Sequence, residues 1–457
     1  METKTDSLTF RHRLGYALGD FGGCMTFAIM TSFMTRYYVN VLYLDTAVVA
    51  LMTLIWKIFD GVGNPIIGVV MDRAIAKSSR EAGAFRPWIL RMIPPVAFSA
   101  ILVFTAPGWV SGFARLAVAF LTYLFYELFY GMHHIALGGL LSAMAVNDDE
   151  RAQLSSARGI GGMLGYILPT MLFPVILTAF TADGQLGFGV GITICAALGI
   201  LSCLLCYRFT RERSTGSRQE TPPIQVTDIF EVCRKNRAFV ALGIHGLLQG
   251  ILMSVNGTLG TYMYADVLGS LSLMSIGSLA GIPLNILFMS VVPRLSRRFG
   301  AQKVLRASLL LGCGLYVALF ALHVLTPIPV WLHIGLNALA SGIAGLSSMM
   351  QWGMLGEAIE YNEYLTGKRT EGSINGTFNM LRRLGQGLGG SIGVAVLGLI
   401  GYNAAAAVQT GATVFGIKAL CLLFPAACAL GGWLVFRCIW NITPEVKADI
   451  ARWKQTR

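Results

Sequence analysis

Apolar stretches too long for a soluble core recur along this chain. They fall at about 14–38, 47–71, 88–106, 112–144, 155–180 and 186–207. After a polar gap they resume at about 238–265, 271–293, 303–323, 328–356, 373–402 and 411–439. A helix that crosses a bilayer needs roughly 20 consecutive apolar residues, so the pattern predicts an all-α integral membrane protein with twelve transmembrane helices. The alternation expected of membrane β-strands is absent, which excludes a β-barrel. The gap, RFTRERSTGSRQETPPIQVTDIFEVCRKNR, is rich in Ser, Pro and charge and reads as a linker. The expected organisation is therefore a six-helix bundle over residues 1–207, a linker over 208–237, a second bundle over 238–439 and a tail over 440–457.

The placement of Lys and Arg predicts the orientation. Arg11 and Arg13 precede the first apolar run, and Arg73, Lys77, Arg80 and Arg86 fill the loop after the second. Arg211, Arg213, Arg218, Arg234 and Lys235 lie in the linker. The alternate loops, near 39–46, 107–111, 181–186, 266–270, 324–328 and 403–411, hold no Lys or Arg. Positive residues stay inside, so both termini are expected in the cytoplasm and the chain in the inner membrane.

Composition agrees. Only 13% of the 457 residues are charged, 55% are hydrophobic and mean hydropathy is +0.64, whereas a soluble domain carries about 25% charged residues. The net charge of +12 does not point to nucleic acid, because it resides in short loops between apolar runs. The nine cysteines show no CxxC metal spacing and read as small core residues. No cleavage-site pattern follows METKTDSLTFRHR, so no removable signal peptide is expected.

The halves echo each other. The fifth run opens RGIGGMLG from Arg158 and the eleventh opens RRLGQGLGG from Arg382. Their glycines recur every four residues, at Gly161 and Gly165 and at Gly385, Gly389 and Gly393, a spacing that lets helix backbones approach closely. Two six-helix pseudo-repeats are what an alternating transporter requires.

Ionisable residues inside apolar runs are the candidates for function, because each is costly in the bilayer. In the second run, LMTLIWKIFDGVGNPIIGVVMD, Lys57, Asp60 and Asn64 fall on one helical face, with Pro65 following at once. Asp60 reads as a transport-pathway carboxylate that binds a cation or proton, or as the buried partner of Lys57. Asp20 lies in the first run. In the fourth, Tyr123, Glu127, Tyr130 and His134 form one stripe, able to bond hydroxylated ligands or to seam helices together. Asn375, Asn379, Arg383 and Gln386 form another in the eleventh, with Arg383 needing an anionic partner for which Asp20 and Asp60 are static candidates. Arg158 lies nearer a membrane edge, where it can snorkel, and His245 and His323 read as packing residues. There is no P-loop, GxSxG elbow or HExxH, so neither an ATP-driven pump nor an enzyme is expected, and no cofactor.

KIFDGVGNPIIG resembles the second-helix signature of the glycoside–pentoside–hexuronide:cation symporters, a melibiose-permease-like branch of the major facilitator superfamily. GAFRPW, ERAQLSSAR, WGMLGEAIEYNEYLTGKRTEG (placed in the loop after helix 10) and FNMLRRLGQGLGG are similar to further motifs of that family. The resemblance implies the major facilitator fold. It implies cation binding at Asp60 and substrate binding at Asp20, Arg158 and Arg383; Lys57 and Asn64, on the face of Asp60, join the cation candidates, and Tyr130 and His134 of the stripe join the substrate candidates. It implies symport of a sugar or glycoside with H+ or Na+, in a monomer. The chain departs from the pattern. Asn64 stands where a second acid is usual, His134 replaces an acid, Gly138 replaces an aromatic, and Arg383 replaces a lysine. The acid-to-His exchange and Arg383 make the pocket more cationic and favour an acidic sugar, such as a hexuronide, over a neutral pentoside. Arg86, Glu357, Glu360 and Arg369 are expected to form gating ion pairs between the halves. Uncoupled facilitation, a non-sugar amphiphile as cargo, and a non-transporting sensor are the competing readings.

Overall fold

The computed structural model describes residues 8–57, 59, 67, 85–146, 148–180, 184–213, 232–367, 371–406 and 408–455. Asp60, Asn64 and Arg369 lie outside the described residues. The chain forms two compact units, Met1–Arg218 and Gln219–Arg457.

In the first unit the helices are α1 (Phe10–Arg36), α2 (Thr46–Lys57, as far as it is described), α3 (Arg86–Thr105), α4 (Gly112–Met144), α5 (Asp148–Ala179) and α6 (Gly184–Phe209). In the second they are α7 (Arg237–Tyr262), α8 (Leu273–Phe299), α9 (Ala301–Leu325), α10 (Val330–Thr366), α11 (Glu371–Leu399), α12 (Gly411–Cys438) and α13 (Pro444–Gln455). Ten described helices are long and apolar enough to cross a bilayer. The 29-residue α11 is long enough, but the arginines and amides in its first half dilute its apolar character.

The two units repeat one packing scheme. The most extensive helix pairings in the first are α1 with α5 and α6, and α3 with α4 and α6. In the second they are α7 with α11 and α12, and α9 with α10 and α12. Each partner is displaced by six helices, which is the pseudo-repeat written into the backbone. A local detail recurs as well. Both α1 and α7 end in a single wide turn with i to i+5 hydrogen bonding, Leu42 N to Tyr37 O and Leu268 N to Met263 O, each 3.0 Å.

Glycines set the closest contacts. A Cβ at Gly161 would stand 2.0 Å from the Ala17 carbonyl oxygen, and one at Gly165 would stand 2.5 Å from that of Phe21. On the other side of the repeat, Gly385 and Gly389 meet the carbonyl oxygens of Leu247 and Ile251 at 2.2 and 2.3 Å in the same sense. The glycine rows thus press α5 onto α1 and α11 onto α7, backbone against backbone.

Two segments differ from the hydropathy reading. The stretch after residue 356, expected as a loop, continues α10 as helix to Thr366 and stops at Gly367 with φ of +69°. Its buried residues Met354, Leu355, Ala358, Ile359, Tyr361 and Asn362 keep helical spacing while Glu360 and Tyr364 face outward. Amphipathic periodicity sustains a helix that mean hydropathy would end. The tail, for its part, contains α13, which lays Trp453 edge-on against Tyr364 and ties Lys447 Nζ to Glu357 Oε1 at 2.5 Å.

Candidate functional site

In the first unit Asp20, His134 and Arg158 converge. Each lies ten residues from the end of its helix that joins the basic segments: Phe10 for α1, Met144 for α4, Asp148 for α5. At 1.5 Å per residue all three sit about 15 Å along their helices, so contact follows from equal depth. Arg158 Nε donates to Asp20 Oδ1 at 3.2 Å, and Arg158 Nη2 lies 2.9 Å from His134 Nε2. A guanidinium only donates, so His134 Nε2 accepts and the ring is neutral with its proton on Nδ1. The side chains of Asp20 and Arg158 retain 13% and 23% exposure, enough for a ligand to reach them. Three missing side chains shape this centre. At Gly162 a Cβ would meet Asp20 Oδ2 at 2.4 Å, and at Gly161 it would meet α1 itself. At Gly138 the nearest outside atom to a Cβ would be Arg158 Nη1 at 3.9 Å, which leaves open space beside the guanidinium.

Arg158 therefore does not snorkel alone, and Asp20 has Arg158 rather than Arg383 as its ion-pair partner. Arg383 is half-buried on α11 of the other unit. Tyr130 continues the α4 stripe toward His134, its ring 5.2 Å from Phe27 and nearly parallel to it.

A second charged cluster holds Lys57. Its Nζ lies 2.8 Å from Glu127 Oε1, and the Tyr123 hydroxyl donates to the same oxygen at 2.6 Å. The fully buried Trp56 packs its ring 4.2 Å from that of Tyr123 and donates Nε1–H to the Phe120 carbonyl. The first two members of the α4 stripe are thus engaged inside the protein. Lys57 in the second apolar run and Glu127 in the fourth are separated by a whole helix along the chain, so their spacing alone does not pair them. Removing one member of a buried pair costs about 3–5 kcal/mol, whereas replacing both by apolar residues is often near neutral. Lys57→Met should therefore lower the melting temperature in detergent, and Lys57→Met with Glu127→Leu should recover most of the loss. Equal melting of the single and double variants would show that the pair is not coupled.

At the basic end, Glu212 Oε1 accepts from the backbone amides of Phe85 and Arg86 at 2.7 and 2.8 Å, capping α3. Arg86 Nη2 donates to the Tyr207 carbonyl at 2.5 Å, and its guanidinium lies over the Tyr207 ring. Arg213 Nη2 meets Glu150 Oε2 at 2.5 Å and also the Met144 carbonyl. Burial pushes the Glu150 carboxyl up, but the Val146 amide and Arg213 outweigh it and hold the group below the usual glutamate range. Glu357 pairs with Lys447 of its own unit, and Glu360 is exposed.

In the second unit His245 Nδ1 lies 3.2 Å from Gln351 Oε1. Gln249 Nε2 reaches His245 Nε2 at 3.4 Å and Ser347 Oγ at 3.0 Å. An amide oxygen only accepts, so Nδ1 carries the proton, Nε2 accepts, and His245 is a satisfied neutral link between α7 and α10.

Helix bundles of this length with ion pairs at membrane depth define a multi-pass membrane protein. Solved structures agree on the fold. The nucleoside transporter NupG superposes with a TM-score of 0.65 at 16% identity, over 95% of this chain and 100% of that one. The family model described as MFS/sugar transport protein matches residues 15–443. The chain belongs to that family, the glycoside–pentoside–hexuronide branch of the major facilitator superfamily. Among its relatives, the uncharacterized symporter YnaJ of Bacillus subtilis (strain 168) is 31% identical over 90% of this chain and 88% of its own. The glucuronide carrier protein homolog of Escherichia coli (strain K12) is 30% identical over 95% of this chain and 92% of its own.

Proposed function

We propose that this protein is a cation- or proton-coupled symporter of a hydroxylated organic acid, such as a hexuronide, working by alternating access. The observation that carries the proposal is the Asp20–Arg158–His134 centre, with the open space that Gly138 leaves beside Arg158. A carboxylate entering that space meets a fork of N–H donors suited to bidentate binding, while Asp20 and Tyr130 bind sugar hydroxyls. His134 is an acceptor here, so the positive charge that the first unit offers to an acidic substrate comes from Arg158; Arg383 is the cation proposed for the same role in the second unit. The glucuronide in one relative's name supports the same substrate class.

Coupling is assigned to Asp60, with Asn64 beside it. Lys57 is already paired with Glu127, so an acid in the same apolar run calls for a mobile cation. Asn64 in place of a second acid favours a proton over a sodium ion, which needs several oxygen ligands. Gating by Arg86, Glu357, Glu360 and Arg369 at the basic end then requires Glu357 to exchange Lys447 for another base. In this reading the basic end, with both termini, faces the cytoplasm, because positive residues stay inside.

Uptake of a radiolabelled hexuronide into energised inner-membrane vesicles tests the proposal. Asp60→Asn should abolish accumulation against a gradient while leaving counterflow. Unchanged accumulation in this variant would remove Asp60 from the coupling mechanism.

A further inference from the structure

A separate cavity of about 220 Å³ opens within the second unit. It lies between α7, α8, α9, α10 and α12, toward the end that carries the loops around 268–272 and 325–330. Its wall is mostly apolar but carries polar groups from Asn256, Tyr264, Ser278, Tyr316, His333 and Asn337, and among the described residues no Asp, Glu, Lys or Arg lines it.

The hydrogen-bonding inventory leaves specific vacancies. Ser278 donates to the Met274 carbonyl and so offers only lone pairs. His333 Nδ1 is taken by His323 Nε2 at 2.8 Å, which leaves a single ring nitrogen. Asn256 and Asn337 make no side-chain hydrogen bond among the described residues. Each carboxamide brings two donors and an acceptor. Asn337 stands about 10 Å into α10 at 1.5 Å per residue from Val330, well inside the apolar layer. Asn337 is half-buried, so its amide is open to whatever fills the cavity. Gly277 contributes to this shape, since a Cβ there would stand 2.2 Å from the Tyr264 hydroxyl. The Tyr264 and Tyr316 rings add aromatic faces for C–H groups.

We infer that this cavity binds a small neutral polyol, held by the Asn256 and Asn337 amides against the two tyrosines. The lining excludes ions because it offers no countercharge. The volume equals that of about seven waters at 30 Å³ each, which a four- or five-carbon polyol fills. Its lining lies wholly in the second unit and shares no residue with the Asp20–Arg158 centre.

Calorimetric titration of the full chain in nanodiscs with erythritol, xylitol and galacturonate tests this. Saturable binding of erythritol or xylitol is expected, weakened at least tenfold by Asn337→Leu and by Asn256→Leu, unchanged in Asp20→Asn, and not competed by galacturonate. Three results would overturn it: no saturable heat from either polyol, meaning that water alone meets the amides; binding indifferent to both leucine variants; or binding lost in Asp20→Asn. Asn256 is exposed, so its variant tests the site even where Asn337→Leu does not fold.

Discussion

Replacement of Arg158 by glutamine is expected to reduce uptake at least 100-fold and to destabilise the protein. The guanidinium meets Asp20 and His134 at once, so its loss leaves a carboxylate at 13% exposure without its ion partner. Breaking a buried pair in this way costs about 3–5 kcal/mol, mostly the penalty on the charge left behind. The two consequences separate in a double variant. Arg158→Gln with Asp20→Asn should recover much of the melting temperature, since no charge is stranded, but not uptake, since the fork of donors is gone. Arg158→Lys should also fail, because one ammonium cannot reproduce two directed contacts from a planar group. Uptake within tenfold of wild type in Arg158→Gln would show that the centre only braces the helices.

The second large effect falls on the glycine rows. Gly161→Ala should sharply reduce the yield of folded protein, because the new Cβ would stand 2.0 Å from the Ala17 carbonyl oxygen. Neither backbone can step aside without parting α1 from α5, and Asp20 and Arg158 sit on those two helices. Overpacking costs about 1–3 kcal/mol where side chains can yield, and here the obstacle is main chain. Gly385→Ala should behave alike, facing the Leu247 carbonyl at 2.2 Å. Gly159→Ala is the control, with nothing within 4 Å of its added carbon. Size-exclusion profiles of the three variants in detergent check the contrast, and a Gly161→Ala profile matching that of Gly159→Ala would refute the close approach.

Hydropathy was enough for the ten long apolar helices of the described residues, and glycine spacing for the repeat's close contacts, because each is a local or periodic property of the chain. It stopped short where a segment is amphipathic: the end of α10 and the whole of α13 bury one face only, and averaging along the chain hides that. Pairings were harder. Asp20, His134 and Arg158 were each legible as charged or polar residues in apolar runs. Their union was not, since Arg158 had other acids within conceivable reach and nothing in its neighbourhood along the chain selects Asp20. Equal distance from the basic ends of three helices selects it, and that becomes visible only once the helix ends are known. Glu127 illustrates the same point: its stripe allowed either a face for ligands or a seam between helices, and its bonds to Lys57 and Tyr123 make it a seam.

The sequence by itself determined that this chain lives in a membrane, that it is built from repeated helices, and which family it belongs to. The first two follow from what lipid forbids, uncompensated backbone and stray charge, and the third from motifs such as KIFDGVGNPIIG. Tertiary structure alone decided which buried charge answers which, that His134 accepts rather than donates, and that two asparagines of the second unit face a cavity. Such choices depend on the depth and rotation of helices distant in sequence, and the order of residues along one helix carries no record of its neighbour's register.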